Sequence, residues 1–429
     1  MAMGLVDAAL VGRVSDADLA AVSIGNAIAF AVSCPGMGVT LAIEPLTSQA
    51  IGANEPKRAW TVLRAGVLAC FALALPTMLA GWGCTFGLAA LGVDRAVIPL
   101  ARSYVDARML AAPAWLFFMA GKAYLEARGL TRPILIAGWT ANVVNVVLAS
   151  ALVFGDAGLA RVGLPPLGVP PLGCVGAGIA TALSTWFLAA WALIAAYRAR
   201  PAGATIRRDL GDFAAQGRKI LRLGVPIGFQ LLTEIGVFSF VAVLAARLGA
   251  RTSAAHQIAL GLASFTFMGV IGLGAATAVR VGRAIGARDE GGTRRAGLVG
   301  VSVSVAYAVA CGLVFVVLAR PLARLFTSDA DVIEAAVPLL RIAAAFQLFD
   351  AVQGVAGGAL RGAADSAYAS WANVVCHWLI GLPLSLLLAF GLGWGAPGLW
   401  WGTALGLATV AATLLLRFLR LSSRAIAAA

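Results

Sequence analysis

The sequence predicts an all-α, polytopic membrane protein of twelve transmembrane helices, arranged as two six-helix bundles in a parallel, pseudo-two-fold repeat. Three observations carry that prediction. Of 429 residues, 61% are hydrophobic and only 12% are charged, where a soluble domain carries about a quarter charged residues. The apolar stretches are long and unbroken, which favours helices over a β-barrel built from alternating segments of about ten residues. The two halves of the chain also match each other in order.

Residues 1–14 (MAMGLVDAALVGRV) are apolar but too short to cross about 30 Å of hydrocarbon, which takes about 20 residues. They carry no signal-peptide cleavage pattern and read as the second half of a first helix, truncated at its start. Asp16 and Asp18 offer N-caps for a second helix over 19–52, which contains Pro35 and Pro45. The polar turn 53–58 (ANEPKR) ends it. A third helix is expected over 61–91 and a fourth over 98–129. Pro133 suits the first turn of a fifth, which extends to 154. The segment 155–173 holds PPLG twice and is expected to be an extended loop, because Pro and Gly disfavour helix. A sixth helix covers 175–197.

The longest charged stretch, 198–219, follows, so the expected division is an N-lobe at 1–200, a cytoplasmic linker at 201–217 and a C-lobe at 218–429. Six further helices lie near 220–248, 253–286, 295–319, 332–362, 368–390 and 398–419.

The repeat is visible residue by residue. Residues 19–53 laid over 253–287 without a gap match at Ala20, Ala21, Ile24, Ala29, Gly38, Ala42 and the run AIGA at 50–53. ANVV recurs at 141–144 and 372–375, and TAL at 181–183 and 403–405. Such self-similarity marks a tandem repeat. Six crossings per copy is an even number, so both copies insert in the same direction, as in transporters whose substrate path lies between the halves.

A net charge of +13 would suggest nucleic acid in a soluble protein. Here the basic residues punctuate apolar segments, and most lie at the even-numbered helix ends and the C-terminus, which places that side and both termini of the complete chain in the cytoplasm of a multi-pass inner-membrane protein. Lipid is the expected surrounding; nucleic acid is not a partner. The six cysteines are scattered without a CxxC and are expected to pack as small residues. No GxxxxGK[ST] occurs, so ATP is not expected to drive this chain, and an ion gradient must. No cofactor and no enzymatic nucleophile with a paired base is expected.

Few ionisable residues remain inside the spans: Asp7 on the first, Glu44 on the second, Lys122 and Glu126 on the fourth, Glu234 on the seventh, Arg341 and Asp350 on the tenth, and His377 on the eleventh. A carboxylate at membrane depth costs several kcal/mol on most scales and usually lines a cavity or pathway. Asp7, Glu234 and Asp350 are therefore the candidates for cation coupling, able to exchange a proton or Na⁺ for substrate, with Na⁺ placed at Glu234 and Asp350. The alternative for each is a neutral acid or salt bridge that ties helices together. Asn142 and Asn145 share one helix face and would either extend a polar N-lobe site with Asp7 or act as interhelical glue. Glu44, Gln257 and Gln353 are assigned to a gate or to packing. Lys122 and Glu126, four residues apart, should pair with each other. His256 and His377 are expected to pack or cap, since no metal-binding spacing accompanies them.

Seven stretches in order along the chain resemble the multidrug and toxic compound extrusion (MATE) family, closest to its NorM-like branch. They are VDAALVGRV (6–14), EPLTSQAIGA (44–53), RGLTRP (128–133), GVPIGFQLLTE (224–234), SAAHQIAL (253–260), VRVGRAIGA (279–287) and FDAVQGVAGGALRG (349–362). The resemblance implies two six-helix lobes around an outward-facing V-shaped cleft and export of small organic cations against inward Na⁺ or H⁺. It likens Asp7 to the family's first-helix aspartate, Glu234 and Asp350 to its C-lobe cation site, and Asn145 to the fifth-helix asparagine of its N-lobe site. Ala149 departs from many relatives, which carry an aspartate there, and that shifts the expected coupling site to the C-lobe. The counterpart of Asp350 in the first repeat is Phe117, so the lobes are not chemically equivalent. The chain is expected to work as a monomeric, cation-coupled antiporter; the alternative is a flippase for a lipid-linked or polysaccharide precursor, which would want a cationic cavity.

Overall fold

The computed structural model describes residues 2–161, 163, 165, 166, 168, 170–203, 210–423 and 426, and among them there is helix and loop but no strand. In chain order the helices are α1 (Ala2–Val11), α2 (Asp16–Leu41), α3 (Ile43–Gly52), α4 (Pro56–Phe86), α5 (Val97–Met109), α6 (Ala112–Ala127), α7 (Arg132–Phe154), α8 (Asp156–Arg161) and α9 (Gly173–Arg198), followed by α10 (Leu210–Arg247), α11 (Ala250–Gly286), α12 (Glu290–Val317), α13 (Ala319–Arg324), α14 (Ala330–Gly362), α15 (Ser366–Val375), α16 (Leu382–Leu386) and α17 (Ala396–Leu421). Among the described residues ten spans are long and apolar enough to cross a bilayer, counting α2 with α3 and α15 through Gly391 as one each. The broken pair α5 and α6 and the ten-residue α1 occupy the remaining two positions of the twelve-helix order.

The breaks have covalent causes. Pro45 has no N–H for the carbonyl of Leu41, and Pro113 none for that of Met109, so the expected second and fourth helices each divide at those carbonyls. The eleventh span winds into π-helix at Cys376–Gly381 and Leu387–Gly391, on either side of Pro383. Pro35, by contrast, stays inside α2.

Several expectations are corrected. Ser15, not Asp16 or Asp18, caps α2: its hydroxyl accepts from the Asp18 N–H at 3.0 Å and donates to Asp18 Oδ2 at 2.6 Å. Asp18 is then free to accept from Cys174 N at 3.1 Å, which ties the start of α9 to α2. The segment 155–173 is not loop throughout, because its prolines begin only at 165 and DAGLAR before them forms α8. The seventh helix starts at Leu210, ten residues early, so 210–217 of the expected linker are helical; 204–209 lie outside the described residues.

The chain forms two compact units, one of Met1–Ile43 with Pro56–Gly228 and the other of Glu44–Glu55 with Phe229–Ala429. These differ from a single cut at the linker, because α10 and the α2/α3 pair each contribute to both. Glycines explain the assignment. In the first unit Gly224 and Gly228 of α10 bring its backbone against Pro35, Gly38 and Val39 of α2, at distances where an added Cβ would clash with main chain. In the second, Gly52 of α3 meets the Arg283 carbonyl, and Gly282 and Gly286 of α11 meet Ser48 and Gln49. Small residues allow this backbone-to-backbone packing inside a membrane, where dispersion replaces the hydrophobic drive.

The first unit buries Val11, Val22, Tyr104 and Ala177 in one cluster and Phe118, Ala141 and Leu188 in another. The core of the second gathers Ala259, Leu340, Phe346, Trp400 and Leu407 from α11, α14 and α17.

Candidate functional site

Each unit holds one polar cluster inside its helices. In the first, Asp7 of α1, Asn145 of α7 and Thr181 of α9 are all buried, Asp7 and Asn145 at 0% exposure. Thr181 Oγ1 donates to Asp7 Oδ2 at 2.5 Å and accepts from Asn145 Nδ2 at 3.2 Å. Asp7 Oδ1 and Asn145 Oδ1 have no protein hydrogen-bond partner, so two acceptors remain for a proton or a cation. The Arg108 guanidinium on α5 lies within electrostatic range of Asp7 and of Tyr104. Tyr104 in turn donates to Asn26 Oδ1 at 3.0 Å. Its ring fits because position 25 is glycine: a Cβ there would run into the ring.

Asn142 does not join this group. Its Nδ2 donates back to the Gly138 carbonyl at 2.7 Å on its own helix, and the side chain is half-buried. Lys122 and Glu126 pair at 3.0 Å as their spacing requires. Ala149 is fully buried and adds no polar atom.

In the second unit, Asp350 on α14 is buried at 8% exposure and Glu234 on α10, half-buried, lies within electrostatic range of it. Arg361, three turns along α14 from Asp350, lies within electrostatic range of Glu234 and of Glu44 of α3. Around the acids sits a belt of amides and hydroxyls. Gln353 Nε2 donates to Asn373 Oδ1 at 2.9 Å, Asn373 Nδ2 donates to the Ala369 carbonyl at 2.9 Å, and Ser370 Oγ donates to Gln230 Oε1 at 3.5 Å. Gln353 Oε1 and Gln347 Nε2 are buried without a protein partner. Gln257, in contrast, is exposed.

An aromatic chain borders this belt. His377, on the first π-helical stretch, lies 6.3 Å from Phe238; Phe238 meets Phe346 edge-on at 6.2 Å; Phe346 meets Trp400 at 5.6 Å, and Trp400 meets His256 at 5.8 Å. Both histidines are buried. Among the described residues no group of three or more His, Cys, Asp or Glu is disposed to hold a metal ion.

Thr181, Tyr104, Arg108, Arg361 and Asn373 escape selection by sequence alone. Thr181 and Asn373 lie in the repeated TAL and ANVV strings, where alignment of the copies marks them as equivalent positions but not as site residues. Arg361 sits close to a helix end, where an arginine ordinarily signals topology.

The chain matches the MatE family over residues 1–150 and 226–387. It is 35% identical to the probable multidrug resistance protein NorM of Pseudomonas putida over 97% of this chain and 90% of the relative, and 32% identical to the multidrug resistance protein NorM of Vibrio vulnificus over 96% and 90%. Its fold matches the crystal structure of the eukaryotic MATE transporter AtDTX14 with a TM-score of 0.85 at 21% identity, covering 97% of this chain and 91% of that one. It also matches MATE in the bent conformation with a TM-score of 0.87 at 19% identity, covering 98% and 91%. With a polar cluster in each unit and relatives of this kind along nearly its whole length, the chain belongs to the MatE family of multidrug efflux transporters.

Proposed function

We propose that the protein is a cation-coupled antiporter of the inner membrane that exports small organic cations against inward Na⁺ or H⁺ by alternating access. The observation that carries this reading is the placing of Glu234 and Asp350 inside one apolar helical unit, Asp350 at 8% exposure and Glu234 half-buried. Carboxylates inside an apolar bundle are costly to keep ionised without a counter-cation, so the two acids favour binding one Na⁺ or retaining one proton. Cargo binding and release would then follow from whichever state of the acids each conformation prefers. The Asp7, Asn145 and Thr181 cluster serves the substrate and can take a second cation.

Acids outnumber bases around the second-unit site, with Glu44, Glu234 and Asp350 against Arg361, which favours cationic cargo over a phosphate-bearing lipid precursor. Lipid is the only surrounding the reading needs, and the working unit is a single chain with its termini in the cytoplasm, powered without ATP.

The test is ethidium transport in everted vesicles with Na⁺ and proton gradients imposed separately. One gradient should drive transport in the wild type, and Glu234→Gln and Asp350→Asn, inserted at normal levels, should each abolish that response. Wild-type rates in both variants would overturn the assignment of the coupling site.

A further inference from the structure

We propose that α3 is the leaf of a cytoplasmic gate, shut in this structure against α11 and the end of α14, and that it parts from them each time cargo enters from the cytoplasm. The proposal rests on the reading of the protein as an alternating-access exporter.

The contact is built on the repeat itself. Gly52 and Gly286 are equivalent positions of the two copies, as are Gln49 and Arg283, and Ser48 and Gly282. A Cβ on Gly52 would run into the Arg283 carbonyl, and one on Gly286 into the Gln49 carbonyl. The two copies of the AIGA run therefore meet reciprocally, as the halves of a two-fold interface do. Between these contacts the equivalent positions 48 and 282 face each other: a Cβ on Gly282 would stand 3.2 Å from the Ser48 Cβ. Glycines make this a contact of backbones, which can part without side chains having to disengage. A hydrogen bond fastens it, from Gln49 Nε2 to the Gly362 carbonyl of α14 at 2.9 Å.

The face that α3 buries here is polar. Glu44, Thr47, Ser48 and Gln49, from one ten-residue helix, are each no more than 5% exposed. Polar side chains at membrane depth bond across helices or line a path that water enters. Bonding across helices does not account for two of these: Ser48 Oγ donates to the Pro45 carbonyl of its own helix at 3.0 Å, and Thr47 Oγ1 has no partner among the described residues. A face that stayed dry would gain nothing from them, because burying a polar group without a partner costs free energy. A face that meets water in another conformation gains hydration there.

The helix is also jointed at both ends. Ala42 separates it from α2, and Pro45 lacks the N–H that would carry the hydrogen-bond ladder of α2 across the joint. At its other end Asn54 takes a φ of +58° in the polar turn before α4. Lys57 and Arg58, which follow that turn, put this end of the helix at the cytoplasmic face.

A disulfide across the contact separates a gate from permanent packing. With Ser48→Cys and Gly282→Cys combined, the two Cβ atoms stand within a few tenths of an ångström of the separation of about 3.5–4.5 Å that a disulfide spans. Oxidation by copper phenanthroline in proteoliposomes should cut ethidium efflux about tenfold or more, because a gate held shut stops the cycle. Dithiothreitol should restore it, and the same treatment should leave the wild type unchanged. Equal rates in the oxidised and reduced forms, with the bond verified by mass spectrometry, overturn the proposal. Where the double variant does not insert or does not oxidise, Ser48→Cys alone decides, with no transport readout. In everted vesicles a membrane-impermeant maleimide added at the cytoplasmic face should label position 48 about tenfold or more faster than Cys70, since a gate opens far more often than a packed core. Cys70 is equally buried but lies in the interior of the first unit, and peptide mass resolves the two sites. Labelling of position 48 no faster than Cys70 in a protein that exports ethidium removes the gate; a wild type that exports no ethidium under either gradient removes the exporter reading instead.

Discussion

Thr181 donates its hydroxyl to Asp7 across 2.5 Å, joining α9 to the short α1. Because α1 has only ten described residues and contacts α2, α7 and α9, this bond is a principal polar attachment of the helix that carries Asp7. Thr181→Val conserves shape but removes the donor from a buried carboxyl group and the acceptor from Asn145. It should cost about 1–3 kcal/mol, seen as a lower midpoint of thermal unfolding in detergent, while Thr181→Ser should stay close to wild type. A valine variant with an unchanged midpoint would show that the bond contributes nothing.

Gln353 and Asn373 bridge α14 and α15 through one amide-to-amide bond. Either Gln353→Leu or Asn373→Leu alone strands a buried amide, whereas the pair of changes leaves neither partner behind. The double variant should therefore be less destabilised than the two singles added together, with a coupling energy of about 0.5–3 kcal/mol. Additive losses in chemical or thermal unfolding would contradict the pairing.

His256 packs edge-on against Trp400 in the largely apolar core of the second unit, and neither of its ring nitrogens has a protein partner. His256→Phe keeps the ring contact and removes two polar atoms, so it should change stability by less than about 1.5 kcal/mol. It should leave efflux unchanged. A large loss of transport with normal folding would show that an imidazole nitrogen is used.

Lys122 and Glu126 form an i, i+4 pair on α6 with each side chain still partly exposed, at 29% and 21%. Such pairs contribute about 0.3–0.5 kcal/mol. Lys122→Met should accordingly shift the unfolding midpoint only slightly and leave the transport rate at its wild-type value, as measured in the same vesicles.

Much of the architecture is legible in the sequence, and the reasons are local. Apolar runs of membrane length, polar turns such as ANEPKR and the repeat between 19–53 and 253–287 predict twelve helices in two copies, because a bilayer requires every backbone polar group to be satisfied within its own helix. Asp7, Glu234 and Asp350 stand out for the same reason, as rare carboxyl groups in apolar segments. The helix breaks beside Pro45 and Pro113 were also written in the chain, yet a proline alone does not say whether a helix bends or divides: Pro35 leaves α2 continuous.

Which residues meet is another matter. Thr181 lies 174 positions from Asp7 and Gln49 lies 313 from Gly362, and no periodicity reports contacts of that range. Asn142 and Asn145 looked alike on one helix face, but only Asn145 reaches Thr181, while Asn142 turns back to Gly138. Glu44 belongs with the first half by its place in the chain; glycines on α3 and α11 bring it into the second unit. Hydrophobic patterning determines that a segment enters the membrane, through its cost of transfer from water. The partners of its few polar atoms are settled only by packing, where the approach of one backbone to another decides which distant side chains come within a hydrogen bond's length.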